Sequence, residues 1–116
     1  MKEFMFIYQG GDPDWMKNTS SEEMAAIMKC WEDWMTKLQE ADQLVTGGSP
    51  LHFEGKRVTP DMVITDIAAA EFKELVSGYS IVRADSLEEA AELGKSCPIF
   101  QSPGVSLEIR QVVKMS

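Results

Sequence analysis

The segment KEFMFIY at positions 2–8 constrains the fold of this chain more than any other feature. Aromatic side chains at positions 4, 6 and 8 alternate with Met5 and Ile7, so the strand that this composition favours is apolar on both of its faces. Such a strand belongs in the interior of a sheet. Both faces of the sheet at that strand must then be covered by other parts of the protein.

An amphipathic helix is predicted from about Ser20 to Ala41, because apolar residues recur there at steps of three and four. Ser20 followed by Glu23 is typical of a capping box at a helix start. The apolar stripe, which includes Trp31 and Trp34, is a candidate lining for an apolar pocket. At helical spacing, however, it is more simply explained as core.

Alternation and turn residues predict the remaining elements. In chain order they are a short strand in residues 44–48, a hairpin in residues 55–66, a helical turn or ordered connection in residues 67–75, a strand in residues 78–84, a helix behind a capping box at Ser86 and Glu89, and a strand in residues 105–113. Leaving the hairpin aside, this order is that of two split βαβ halves.

The predicted fold is therefore α+β and ferredoxin-like, a split βαβ sheet with an inserted hairpin and both helices on one face. Residues 1–116 form a single domain, because the length suits one core. The sheet face without helices would leave the apolar side chains of the first strand in water. Two such sheets packed face to face would cover each other, so we expect a symmetric homodimer, a dimeric α+β barrel.

Charge and cysteine content exclude several classes of function. The formal net charge is −8, and Lys and Arg are scattered, so no nucleic acid is expected as a partner. Cys30 and Cys97 are too few for a disulfide framework and lack the CxxC spacing, so they are expected as reduced thiols. The apolar run near the N-terminus is too short for a signal peptide or a membrane span. We therefore expect a cytoplasmic protein without a membrane partner.

Several segments together resemble the YCII-related family, in particular its DGPF branch. These segments are KEFMFIYQG, SSEEMAAIM, TDIAAAEFKE, SGYSIVRADSLEEAAELGKSCP and VSLEIRQV. The branch is named for a DGPFAETKE-like motif. The residues that match this motif are Asp66, Ala70, Glu71, Lys73 and Glu74, while Ile67–Ala69 stand in place of Gly-Pro-Phe.

The resemblance implies a dimeric α+β barrel over most of the chain. The activity of the family is largely undefined, and relatives that share the barrel include small-molecule lyases, dehydrochlorinase-like enzymes and monooxygenases. A catalytic His-Asp pair has been suggested in part of the wider family, with the histidine in the first helix. This chain has no histidine there, because its single histidine is His52. That pair therefore does not carry over.

Asp66 is the candidate catalytic residue, because a carboxylate at the end of a predicted strand is able to act as a general base or orient a ligand. The plainer interpretation is that it caps the backbone of the following connection. Lys73 is a candidate contact for an anionic group at a pocket mouth. Its neighbours Glu71 and Glu74 favour an ordinary surface ion pair instead.

His52 is a candidate proton shuttle, since histidine exchanges protons near neutral pH, although a lone histidine in a polar loop is more often an ordinary surface residue. Trp15 lies outside the helical periodicity in a connection able to cover a cavity, and Tyr79 could point into the same space. No second histidine or carboxylate cluster accompanies His52, so neither a metal site nor a Ser-His-Asp triad is expected.

Two hypotheses follow for function. The first is an enzyme or binding protein without a cofactor, which holds a small, partly apolar molecule with Asp66 directed into a closed pocket. The second is a non-catalytic dimeric module that acts through a protein partner, with a filled interior. The fold alone does not decide between them, and the sequence leaves open whether the protein is an enzyme.

Overall fold

The computed structural model describes residues 1–67 and 74–115. The strands are β1 (Lys2–Gly10), β2 (Leu44–Thr46), β3 (Lys56–Val58), β4 (Ile64–Asp66), β5 (Val76–Ala84) and β6 (Val105–Gln111). The helices are α1 (Trp15–Asn18), α2 (Ser21–Glu40) and α3 (Leu87–Lys95), followed by a 3-10 helix (Pro98–Gln101). The predicted α+β class is confirmed. The predicted connection in residues 67–75 lies largely outside the described residues.

The main sheet has four strands in the order β2-β5-β1-β6, and all neighbouring strands are antiparallel. This order fits a ferredoxin-like fold. β1 pairs with β5 on one side and with β6 on the other, as its two apolar faces predict. The inserted hairpin is also confirmed, since β3 and β4 form a separate two-stranded sheet.

The core lies between the main sheet and the helices. Phe4, Phe6 and Val82 are fully buried there, and they point to the same side because paired residues in antiparallel strands share a face. From α2, Trp34 and Leu38 pack into this cluster, so the second half of the predicted apolar stripe is core. Met28, in the first half of the stripe, is 52% exposed. Burial of such large side chains supplies most of the driving force for folding.

Both predicted helix starts carry the expected caps. The hydroxyl of Ser20 accepts a hydrogen bond from the backbone N–H of Glu23 at 3.1 Å. Ser86 does the same for Glu89 at the start of α3. Each cap satisfies one N–H that has no partner within the helix. These two local signals explain why the helix starts agree with the sequence.

Gly94 lets α3 lie close on the sheet. A Cβ at this position would lie 2.8 Å from Leu107 Cδ2 and 3.2 Å from Ile109 Cδ1, both on β6. A side chain here would push the helix away from the strand or distort its neighbours. Gly94 therefore serves the close packing of α3 on β6.

The other face of the main sheet carries no helix of the described residues. Met5 and Ile7 alternate with the buried residues of β1 and point to this side, where they remain half-buried. They are paired across the strands with Ile81 and Tyr79, which are also half-buried. We call this surface the open face. It contains the apolar side chains that the sequence analysis expected to need a cover.

Candidate functional site

The hairpin has a fixed register. β3 and β4 place Lys56 opposite Asp66, Arg57 opposite Thr65 and Val58 opposite Ile64. At its base, the N–H of Ile67 donates a hydrogen bond to the carbonyl of Gly55 at 3.2 Å. The Ile67 side chain occupies the space that a Cβ at position 55 would need, so glycine permits this closure.

A cleft of about 600 Å³ lies between the base of the hairpin and the beginning of β5. We call it the hairpin cleft. Its lining residues are Leu51, His52, Glu54, Lys56, Arg57, Ile67, Glu74, Leu75 and Val76. The segment that contains Leu51 is held against β5 by a hydrogen bond from its N–H to the carbonyl of Ser77 at 2.9 Å. The wall on this side is therefore anchored to the main sheet.

The hairpin cleft combines apolar and charged side chains. Leu51 and Val76 offer partly exposed aliphatic surface, with 41% and 39% of each residue exposed. Arg57 contributes a guanidinium group that forms no ion pair within residues 1–67 and 74–115. Two carboxylates, from Glu54 and Glu74, also border the cleft. This arrangement suits a ligand with one apolar part and one charged part.

Asp66 lies near the hairpin cleft but is not among its lining residues. Its carboxylate forms an ion pair with the ammonium group of Lys56, and 80% of its side chain is exposed. An exposed ion pair of this kind is worth at most about 1 kcal/mol. The carboxylate therefore faces solvent in a single chain, and its partner Lys56 is the group that reaches the cleft.

The other predicted site residues lie in different places. His52 lines the hairpin cleft. Tyr79 lies on the open face opposite Ile7, and Trp15 is half-buried at the start of the one-turn helix α1. Neither of these two aromatic side chains lines the hairpin cleft. Lys73 lies outside the described residues, as do the motif positions from 68 to 73.

A second cleft, of about 510 Å³, lies between α2 and the 3-10 helix. Its lining includes Trp34, Lys37 and Phe100 together with both cysteines, Cys30 and Cys97. The indole N–H of Trp34 donates a hydrogen bond to Ser96 at 3.1 Å, which fixes the ring at the cleft floor. The two free thiols are thus on the helix-covered side, away from the hairpin.

A hydrogen-bonded cluster is buried behind this second cleft. The hydroxyl of Tyr8 donates to Ser80 Oγ at 2.7 Å, and Ser80 donates to the carbonyl of Gly47 at 2.8 Å. Cys97 Sγ lies 3.5 Å from the Tyr8 hydroxyl. Burial raises the pKa of the Tyr8 phenol and that of the Cys97 thiol, because both would lose hydration as anions. Both groups stay protonated at neutral pH, and the role of the cluster is to hold the packed elements together by hydrogen bonds.

Sequence reasoning missed the lining residues Lys56 and Arg57 as members of a site. In the sequence they count only as scattered charges, because their place at the cleft depends on how the hairpin is positioned beside the main sheet. The register was the available signal. A loop centred on Asp61 places Lys56 across from Asp66, whereas a two-residue turn at Pro60 and Asp61 would place it across from Thr65.

The described residues show neither a metal-binding cluster nor a membrane-spanning helix. Among residues 1–67 and 74–115, no group of three or more His, Cys, Asp or Glu side chains is placed to hold a metal ion. Within the same ranges, no helix combines the length and the apolar character needed to cross a membrane.

The chain matches the model of a known protein family. The model of the family described as "YCII-related domain" matches residues 4–116, which is nearly the whole chain. No curated protein matches the chain.

Proposed function

The chain belongs to the YCII-related domain family, and on that premise we propose that it binds a small, partly apolar molecule in the hairpin cleft without a cofactor. The observation that carries the proposal is the composition of this cleft. It brings the lone histidine of the chain, two cationic side chains and an aliphatic wall to one place of about 600 Å³. Pockets of this volume suit small organic ligands.

The charges of the cleft define the ligand further. The guanidinium of Arg57 offers a planar set of donors that matches a carboxylate. Glu54 and Glu74 lie at the same cleft and would repel a multiply charged anion such as a polyphosphate. We therefore expect a monoanion whose apolar part contacts Leu51 and Val76.

Proton transfer to a bound molecule would be the task of His52. The carboxylate of Asp66 is bound to Lys56 and exposed to solvent, so it is better suited to holding the two strands of the hairpin together. An imidazole at the cleft surface has direct access to a ligand. Binding is the first step of this proposal, and any reaction would depend on His52.

A ¹H–¹⁵N NMR titration with benzoate tests the proposal, because benzoate is a small, partly apolar monoanion. We expect the amide signals of residues 51–57 and 74–76 to shift, and the shifts to be much smaller in Arg57→Ala. Lys95→Ala is the control, since Lys95 is also an exposed cation but lies on α3, away from the hairpin cleft and the open face. Shifts centred on the second cleft, or none up to about 10 mM benzoate, a millimolar limit for weak ligands, would overturn it.

The second candidate function is a non-catalytic dimeric module. It is favoured by the filled interior, because the buried hydroxyls of Tyr8 and Ser80 are hydrogen-bonded and no buried side-chain N or O atom of the described residues lacks a partner. This candidate predicts a dimer that does not respond to benzoate. The NMR titration distinguishes the two functions, because a homodimer is expected for both.

We propose that the protein is a homodimer through the open face. Met5, Ile7 and Ile81 form an apolar strip there, while the ionised side chains of that face, Glu3, Arg83, Glu108 and Arg110, balance in charge. The two long helices on the opposite side carry eight acidic side chains against three basic ones. Two chains of net charge −8 therefore repel each other least through this face.

Ile7→Glu tests the homodimer, because it places a charge in the middle of the apolar strip. Analytical ultracentrifugation should show a dimer for the natural chain and a monomer for the variant. A natural chain that remains monomeric at about 100 μM, a concentration that detects even weak association, would contradict the proposal. We propose a cytoplasmic location, which would suit the free thiols of Cys30 and Cys97.

A further inference from the structure

The β3–β4 hairpin lacks the packing that such an element needs. All six residues of its two strands are exposed. An isolated two-stranded hairpin is marginally stable in water unless it packs on something else. The hairpin nevertheless has apolar side chains, with 62% of Val58, 67% of Ile64 and 78% of Met62 exposed. The hairpin therefore contains apolar side chains of the kind that are usually buried, yet these side chains are exposed to solvent.

Two exposed apolar side chains of the hairpin, Val58 and Ile64, share one face. Val58 and Ile64 are directly paired, so both project to the same side of the ribbon. Arg57 and Thr65 form the neighbouring pair and project to the opposite side. The Lys56–Asp66 ion pair projects to the same side as Val58 and Ile64 but lies at the base of the ribbon. The apolar face is therefore the outer part of that side, formed by Val58 and Ile64, and it could pack against another surface.

The hairpin extends sideways from the body of the protein. The radius of gyration is 15.6 Å, whereas a compact chain of this length has about 13 Å. The extents of 44 × 43 × 19 Å show that the shortest dimension is about that of a sheet with one layer of helices. The hairpin thus lies beside these layers and does not fold over the open face of its own chain.

We propose that the hairpin is an arm that packs its apolar face, Val58 and Ile64, on a second copy of this chain. This inference rests on the proposed homodimer and adds the part of the interface outside the sheet. The sheet alone gives a flat footprint of about 30 Å by about 15 Å, or about 450 Å². A stable interface of standard size buries about 800 Å² on each partner. The arm supplies additional apolar area beside the sheet.

Charge supports a second copy as the occupant. Residues 55–66 contain Lys56, Arg57, Asp61 and Asp66, so the arm is neutral within a chain of net charge −8. The open face is neutral as well. A neutral arm beside a neutral sheet face forms one continuous surface on which two acidic chains can associate.

A matched pair of variants tests the arm. Ile64→Glu and Thr65→Glu add the same charge at adjacent positions on opposite sides of the ribbon. We expect Ile64→Glu to raise the dimer dissociation constant at least about tenfold, the effect of a charge in a buried apolar contact, while Thr65→Glu changes it less than about threefold. Sedimentation over a range of concentrations gives both constants.

The outcomes separate the arm from the homodimer itself. If the natural chain is monomeric, the homodimer fails and the arm with it. If Ile7→Glu dissociates the dimer but Ile64→Glu has no more effect than Thr65→Glu, the homodimer stands and the arm is wrong.

Amide hydrogen exchange is a second test of the arm, and it leaves the sequence of the hairpin unchanged. Amides of residues 56–66 should exchange slowly in the dimer and quickly in the Ile7→Glu monomer. Circular dichroism confirms that this monomer is folded. Equal exchange in both states would show that dimer formation does not protect the hairpin, which contradicts the proposal.

Discussion

The two faces of the main sheet differ in how their apolar residues are covered. Phe4 and Phe6 are fully buried beneath α2 and α3, whereas Met5 and Ile7, which alternate with them on β1, are half-buried on the open face. Polar groups on the covered face are hydrogen-bonded within the chain. One strand therefore serves two purposes, because its even positions fold the chain and its odd positions are available for assembly.

Truncation of neighbouring residues on β1 gives the largest expected difference between the faces. Phe6→Ala should lower the free energy of unfolding by about 3–5 kcal/mol, because it leaves a cavity against Trp34. Ile7→Ala should lower it by about half as much or less in dilute protein, since Ile7 is only half-buried. Urea unfolding at low and high protein concentration measures both.

Concentration dependence makes this comparison sharper. The loss caused by Ile7→Ala should grow with protein concentration if the open face assembles, because association stabilises the native state by mass action. The loss caused by Phe6→Ala should not. Equal losses at every concentration would show that both faces belong to the core of a single chain.

The close approach of α3 is the next largest effect on the covered face. Gly94→Ala introduces a methyl group 2.8 Å from Leu107 Cδ2. Overpacking costs about 1–3 kcal/mol and outweighs the gain of about 1 kcal/mol in helix propensity. Thermal unfolding should show a net loss. Ala91→Gly, at an exposed position of the same helix, measures the propensity alone, and a gain for Gly94→Ala equal to that loss would mean that the helix is loosely packed.

Removal of a buried hydroxyl is expected to have a smaller effect. Tyr8→Phe loses the hydrogen bond to Ser80 and should cost about 1 kcal/mol at neutral pH. Tyr79→Phe, on the open face, is the matched control and should be nearly neutral. A similar loss for both variants would show that the hydroxyl on the covered face has no special structural role.

Tyr8→Phe should also change how the stability of the protein depends on alkaline pH. The pKa values of Tyr8 and Cys97 are raised by burial, so the unfolded chain releases these protons first, near pH 8.5 for cysteine and near pH 10 for tyrosine. Their contribution to stability is complete below these values and is lost as pH rises toward the folded-state values. Urea midpoints should therefore fall from about pH 8.5 upward because of Cys97. Above about pH 10, where tyrosine in the unfolded chain ionises, they should fall less steeply in Tyr8→Phe.

Local patterns in the sequence were sufficient to predict the elements of the fold. The two capping serines, Ser20 and Ser86, and the alternation in β1 and β6 act between near neighbours in the chain, so they can be read without a structure. The one-turn helix α1 was missed, because four residues are too short for a periodic signal.

The sites were harder to predict because they depend on contacts between distant residues. Tyr8 and Ser80 are 72 positions apart, and Tyr8 and Cys97 are 89 apart. The hairpin cleft similarly requires β5 and the hairpin to be placed against each other. Composition identified His52 as a candidate, but only the fold shows that Lys56 and Arg57 lie beside it.

The reactivity of the two cysteines tests how far solvent and reagents reach the side chains on the covered face. Cys30 is half-buried, whereas Cys97 is 4% exposed and burial raises the pKa of its thiol. Because the thiolate is the reactive form, and burial both shields the Cys97 thiol and raises its pKa, iodoacetamide should modify Cys30 much faster than Cys97 at neutral pH. Mass spectrometry of the native protein gives both rates, and urea should equalise them. Equal rates without urea would show that the covered face opens readily, so that the contrast between the two faces would be smaller than the structure indicates.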